Sequence, residues 1–307
     1  MLLMLACGVL LAVGVVLTLR WSGERVRSPH RPEALVARPS TASVTPAALA
    51  ASDPATVASD ADPWMSRHAA GLRLYVWWAT VFTCIGTLSG LLITGAGGRL
   101  VMRLLAATTP EATGRGTEAQ AIVGEISAGG TLGYLVFGAL PFAFASAALY
   151  LLVEPWLPRG RLGGPAFGLI LLVGVSPFVD PLRPENVDFD VVGPGWLSVL
   201  AFAALSVLHG AFLAALAGRV SRSLPLVTRD RWAGPMAPLV AAVVLFPVGI
   251  VLAAGAVIAF LLPRALPWFL ELRASRSGVL VGRVLLGVAV LAALPAFVSA
   301  VFSIVQR

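Results

Sequence analysis

The chain has 307 residues, 58% of them hydrophobic and 12% charged, with a mean hydropathy of +0.89 and a formal net charge of +7. A soluble domain is nearer a quarter charged, and no water-soluble fold hides so much apolar surface, so the composition directs the chain to lipid. There every backbone N–H and C=O needs an internal partner, and the apolar runs are too long and continuous for barrel strands. The expected class is therefore an all-α membrane protein.

All 22 basic residues are arginine, which points to a high-GC genome more than to a functional demand. Most of them sit within a few residues of an apolar run, where anchoring against anionic lipid accounts for them. A nucleic-acid partner is set aside on that ground, leaving membrane lipid and other membrane proteins. Cys7 and Cys84 both fall in apolar stretches, so neither a disulfide framework nor a four-ligand metal site is expected.

In chain order, apolar windows of membrane-crossing length fall at 2–19, 74–96, 131–153, 165–180, 195–217, 236–262 and 279–304. The first lacks a basic leader and reads as an uncleaved anchor. Seven spans follow: an N-terminal anchor over 1–27, a cytoplasmic Ala/Ser/Thr/Pro tether over 28–69, and a six-helix core over 70–307. The tether has no periodic apolar face. As a flexible coil it spans about 35 Å, so the anchor need not pack against the core. Residues 97–130, 181–194 and 263–278 become outer loops. With the N-terminus outside and the C-terminus cytoplasmic, fourteen arginines lie inside and seven outside, with Arg283 within the last span. That is the expected sign of the bias for a bacterial cytoplasmic membrane. Trp21, Trp77, Trp78, Trp156, Trp196, Trp232 and Trp268 fall near proposed span ends, as amphipathic rings do at the headgroup level.

After the second span the run GAGGRLVMRLLAATTP places Arg99 and Arg103 at i, i+4 on one helical face. Two guanidiniums so arranged can hold a phosphate or carboxylate; the plainer reading is that they snorkel to lipid phosphates or pair with Glu118 or Glu125. The loop before the third span reads GRGTEAQAIVGEISAGGTLGYLVFG, and the loop before the fifth reads DPLRPENVDFDVVGPGWLSV. In the latter, Asp188 and Asp190 flank Phe189, and an extended backbone puts both carboxylates on one side, a spacing able to meet a hard cation. A solvated loop paired to Arg99, Arg103 or Arg183 is the ordinary alternative. These two loops and the GGRLVMRLLA run resemble segments of a family of polytopic membrane proteins from high-GC, actinobacterial-type bacteria that has no assigned function. The resemblance covers roughly residues 75–220, implies the helical membrane architecture, and transfers no catalytic residue.

His209, in LSVLHGAFLA, is the one histidine inside a span. Intramembrane ionisable groups are functional candidates, yet a neutral imidazole also joins helices by hydrogen bonds. With no second intramembrane histidine, a bis-imidazole metal or haem site is not expected. Small residues recur at four-residue spacing at Gly86/Gly90, Gly129/Gly133, Gly210/Ala214/Gly218 and Gly278/Gly282, a pattern that lets helices approach closely. Pro141, Pro247 and Pro295 interrupt three spans. No HExxH, Walker loop, GxSxG or CxxC is present, and the serine of GTLSG at 86–90 has no assignable base. The functional expectation is a non-enzymatic accessory or organising membrane component without cofactor or metal. The alternative is a secondary transporter or permease for a small solute or lipid, suggested by the proline-broken, glycine-rich helices. Its candidate binding residues are Arg99, Arg103, Glu125, Asp188, Asp190 and His209.

Overall fold

The computed structural model describes residues 2–27, 29, 63–118, 121–179, 181–225, 233–243 and 246–307. Among these the chain is helix and turn, with a single isolated bridge between Gly116 and Ile122. The helices are α1 (Leu2–Trp21), α2 (Pro63–Ser89), α3 (Ala96–Thr108), α4 (Ala128–Tyr134), α5 (Leu140–Val153), α6 (Gly163–Gly174), α7 (Gly195–Ser223), α8 (Ala233–Val243), α9 (Phe246–Leu261), α10 (Ala265–Ala274) and α11 (Arg276–Val305). A π-helical segment, Gly90–Gly95, joins α2 to α3, and a second, Leu135–Ala139, joins α4 to α5. Both rods are continuous, so His68–Thr108 runs 41 residues and Ala128–Trp156 runs 29. Among the described residues these two, with α1, α7 and α11, make five helices long and apolar enough to cross a membrane, or six if the bent pair α9–α10 is taken as one span. Most of the expected tether lies outside the described residues, as do Asp180 and Trp232, and residues 63–69 at its end are the start of α2.

Register follows from which side chains meet. Along the α2–α3 rod, Trp77, Thr94 and Gly97 face Leu224, His209 and Leu205 of the α7 rod, so the two run antiparallel. Gly90, Gly95 and Arg99 likewise face Leu140, Leu135 and Thr131, which sets α4–α5 antiparallel to the same rod. Trp77, Phe167 and Phe212 are the largest fully buried side chains of the core these rods share.

One end of the bundle is built from the loops 109–127 and 175–194, and the other carries most of the arginines. Four features depart from the sequence reading. First, α1 is packed: Gly14 lies against Leu92 and Ile93, Leu11 against Gly97, and the following turn is pinned where Ser221 Oγ accepts the Arg27 N–H at 3.0 Å. Second, the window 236–262 is two helices, both against α2. The chain leaves the core at Leu224, whose carbonyl accepts from Trp77 Nε1 at 3.2 Å, and comes back at Pro263, packed on Gly71. It thus begins and ends at the same end of α2, and Pro247, read as interrupting a span, stands in the first turn of α9, where a missing N–H costs nothing. Third, α10 turns from α9 by 99° and lies across the arginine-rich end. There Arg273 donates to the Leu151 and Leu152 carbonyls at the C-terminus of α5, and Trp156 Nε1 donates to the Arg273 carbonyl at 3.1 Å. Loop 263–278 therefore sits opposite loops 97–130 and 181–194, not beside them. Fourth, the C-terminus is at the loop end: Arg307 pairs with Asp190 at 3.2 Å, and Gly195 touches Ile304. Since α1 starts at that end too, both termini share it.

The expected span at 165–180 is also shorter than read. Helix α6 has 12 residues, about 18 Å at 1.5 Å per residue, and stops at Gly174. Glycine explains how so short an element holds: a β-carbon on Gly164 would stand 2.7 Å from the Ala211 Cα, and one on Gly168 2.7 Å from the Val207 Cα. The Gly86/Gly90 pair does the same against Phe144 and Leu140, whereas a β-carbon added to Gly129 or Gly133 would meet no neighbouring element within 4 Å. Pro141 is the second residue after the Leu135–Ala139 π segment. A wider turn there relieves the clash of the proline ring with the carbonyl four residues earlier.

Candidate functional site

The polar side chains gather in two places. At the loop end, Arg99 and Arg103 reach from one face of α3 toward the same segment, 124–131. Arg99 Nη2 donates to Thr131 Oγ1 at 2.7 Å and Arg103 Nη1 to the Gly124 carbonyl at 3.4 Å. The shared face read from their spacing is therefore real. The pairing with Glu118 or Glu125 is not. Glu118 takes a two-oxygen contact from Arg183 Nη2 at 2.6 and 2.7 Å, and Glu125 forms no ion pair with either arginine among the described residues. The Nε of Arg99 is buried without a hydrogen-bond partner.

The second loop folds down beside the first. Leu182 and Phe189 are buried, Asn186 Nδ2 donates to the Pro181 carbonyl at 3.3 Å, and the Gly193 N–H donates to Thr109 Oγ1 at 2.6 Å. Gly193 adopts φ +71°, a left-handed turn that brings it against Leu105 and that a side chain would strain. Asp188 and Asp190 lie in a single 3-10 turn, Val187–Asp190, rather than an extended strand, so their carboxylates diverge. Asp188 Oδ1 accepts the Glu118 N–H at 2.7 Å and Asp190 pairs with Arg307. The extended spacing that could have met a hard cation is not adopted, and among the described residues no three His, Cys, Asp or Glu side chains are grouped for a metal. The result is a cross-tied platform: Arg183–Glu118–Asp188 links loop to loop, and Arg307 ties the last helix to Pro184, Asn186 and Asp190.

His209 is the second place. It is 2% exposed and joins three rods: Nε2 is 2.7 Å from Ser146 Oγ, Nδ1 is 3.1 Å from Thr94 Oγ1, and the ring lies 5.4 Å from Phe142. Ser146 also donates to the Ala143 carbonyl at 3.0 Å. With that proton so used, a neutral imidazole carrying hydrogen on Nε2 satisfies every group. Thr94 lies in the π segment, and its carbonyl accepts from Tyr134 Oη at 3.0 Å, so the two π segments meet beside the histidine. Of the six sequence candidates, Arg99 and Arg103 reach toward the segment 124–131 that contains Glu125, Asp188 and Asp190 lie on the neighbouring loop, and His209 is enclosed in the interior.

Sequence reasoning missed Thr94, Thr131, Tyr134 and Ser146. A lone hydroxyl in an apolar run can satisfy itself on its own helix carbonyl, so it carries no signal of an interhelical role. Arg307 and Arg273 were missed because one reversed segment places each at the opposite end from its sequence assignment. No protein-family model matches the chain, and neither does any curated protein or solved structure.

Proposed function

We propose that this chain is a non-enzymatic, multi-pass protein of the bacterial cytoplasmic membrane that acts as an accessory or organising component through its loop platform. In this reading it crosses six times, by α1, α2–α3, α4–α5, α6 with its flanks, α7 and α11, while α8–α9 enters and leaves on one face. Arg99, Arg103, Arg115, Arg183 and Arg307 are at the loop end, and the other described arginines are at the opposite end. The positive-inside bias then puts the arginine-rich end in the cytoplasm and both termini outside, more strongly than the alternation of seven spans did. The resemblance to a high-GC bacterial family supplies the membrane's origin.

The observation that carries the accessory reading is the engagement of His209. Both of its ring nitrogens have hydroxyl partners and a phenyl ring lies against it, which leaves neither nitrogen turned toward a passing solute. The platform, by contrast, exposes Ile122, Ile126 and Val187 among its charges, a composition suited to protein contact. The transporter reading is favoured by the paired π segments and the reversing hairpin, since irregular helices often line pathways.

The two readings separate by thiol accessibility. In a variant with Cys7 and Cys84 changed to alanine, Thr94→Cys and Ser146→Cys are expected to resist a membrane-impermeant maleimide that labels Glu125→Cys. Labelling of position 94 or 146 at a rate near that of 125 would establish a water path and overturn the accessory reading.

A further inference from the structure

Helix α10 divides into three flanks. At about 100° per residue, Leu266, Leu270 and Arg273 share one flank, Ala265, Trp268, Phe269 and Leu272 a second, and Glu271 with the preceding Arg264 a third. The first faces the bundle: Leu266 and Leu270 pack on the core of the rods, and Arg273, 9% exposed, lies on the carboxyl end of α5. The second is apolar and open, with Trp268 63% and Leu272 49% exposed. The third is charged and exposed. We propose that α10 is an in-plane membrane-surface helix, seated where headgroups give way to hydrocarbon, with its second flank in lipid.

Direction supports a lipid surface. Helix α9 lies along the membrane-crossing α2–α3 rod, where Tyr75 Oη donates to the Leu252 carbonyl at 2.6 Å and Pro263 meets Gly71. The turn of 99° from α9 therefore sets α10 nearly parallel to the bilayer plane. A helix so placed at the edge of a bundle has protein on one side, acyl chains on another and water on the third, which is how its residues divide.

The open flank also continues the apolar exterior of its neighbours. Leu261 and Leu262 before it and Leu280 and Val281 after it are each more than half exposed, so one band runs from the base of α9 across α10 to the start of α11. Within α10, Trp268 stands nearest the charged flank, the place of an amphipathic ring at the headgroup level. Arg264 and Arg276 are exposed at the two ends, where guanidiniums reach lipid phosphate. A helix held at the surface also explains why α8–α9 returns: the chain leaving α9 runs about 15 Å along one face, ten residues at 1.5 Å each, before α11 begins. The inference rests on the membrane reading above, and is independent of the accessory role and of which face is cytoplasmic.

The test is spin-label accessibility of the full chain in phospholipid vesicles. Cys7 and Cys84 are changed to alanine, and single cysteines are placed at Trp268, Leu272 and Glu271 and, as a reference on the exposed face of α11, at Val288. Labels at 268 and 272 are expected to collide with oxygen in preference to a water-soluble nickel chelate and to lie about 5–10 Å below the phosphates. The label at 271 should favour the chelate. Two positions on the apolar flank keep the test decisive where Trp268→Cys alone unfolds the chain. Chelate preference at 268 and 272 with Val288 in lipid would put α10 in water and overturn the proposal. Shielding of 268 and 272 from both reagents would overturn it too, since a partner or a second copy would then cover the flank. Chelate preference at Val288 would instead overturn the membrane reading beneath it.

Discussion

Two serines in the interior show how much a hydroxyl's worth depends on its partner. Ser89 Oγ donates only to the Gly86 carbonyl of its own helix, at 3.2 Å, whereas Ser146 Oγ also receives His209. Removing Ser89 leaves a carbonyl that its helix still occupies. Removing Ser146 leaves an imidazole N–H buried with no partner, and an orphaned buried donor costs about 1–3 kcal/mol. Ser146→Ala is therefore expected to lower the stability of the purified protein by that amount, and Ser89→Ala by well under about 1 kcal/mol, as measured by thermal or denaturant unfolding in one detergent. Equal losses would mean that the imidazole has another partner or that water reaches it. A histidine in a span was enough to single out position 209; which hydroxyls meet it depends on the register of three rods, and no single stretch of sequence carries that.

At the scale of elements, the small-residue pattern marked four candidate contact faces, and packing selected among them. Gly168 and Gly210 stand backbone to backbone, and the nearest atoms to an added β-carbon on Gly168 are the Ser206 carbonyl and Val207 Cα, neither of which can swing aside. Gly133 has open space around it. Gly168→Ala should push α6 from α7 and destabilise by about 1–3 kcal/mol or more. Gly133→Ala should be neutral or stabilising by up to about 1 kcal/mol through the helix preference of alanine. Unfolding midpoints of the two variants check this, and a loss at Gly133 equal to that at Gly168 would show that α4 has a neighbour there in the membrane. Spacing marked Gly133 and Gly210 alike and passed over Gly168, because it records which residues share a face and not whether another helix covers that face. The tryptophans divide the same way: Trp196 and Trp268 are exposed, as belt residues should be, while Trp77 and Trp78 are buried in the core at the arginine-rich end.

For the whole molecule, orientation turns on one element. Reading 236–262 as a crossing reverses everything after it, and so put loop 263–278 with the outer loops and Arg307 inside. The hairpin undoes that reversal. With Arg307 on Asp190 and Arg273 on the carboxyl end of α5, cysteines at Asp190 and Arg307 are expected to react alike with an impermeant reagent on intact cells, and a cysteine at Ser275 only after permeabilisation. A result in which positions 190 and 307 fall on opposite sides would restore the odd number of crossings.

The helical class, the place of most apolar rods, and the common face of Arg99 and Arg103 were legible in the sequence, because each depends on residues a few positions apart: local hydropathy, the 3.6-residue turn, the lack of backbone partners in lipid. Hydropathy has no direction, however. An apolar run reads the same whether the chain passes through or doubles back, and a loop's arginines can be assigned to a side only after every preceding crossing is counted. The packing of Leu224 and Pro263 on one end of α2, the meeting of Glu118 with Arg183 instead of Arg99, the pairing of Asp188 with Glu118 and of Asp190 with Arg307, and so the return of the C-terminus to the loop end, all join residues tens to hundreds of positions apart. Tertiary packing alone decided them, through close approach at glycines and the need to satisfy each buried polar group.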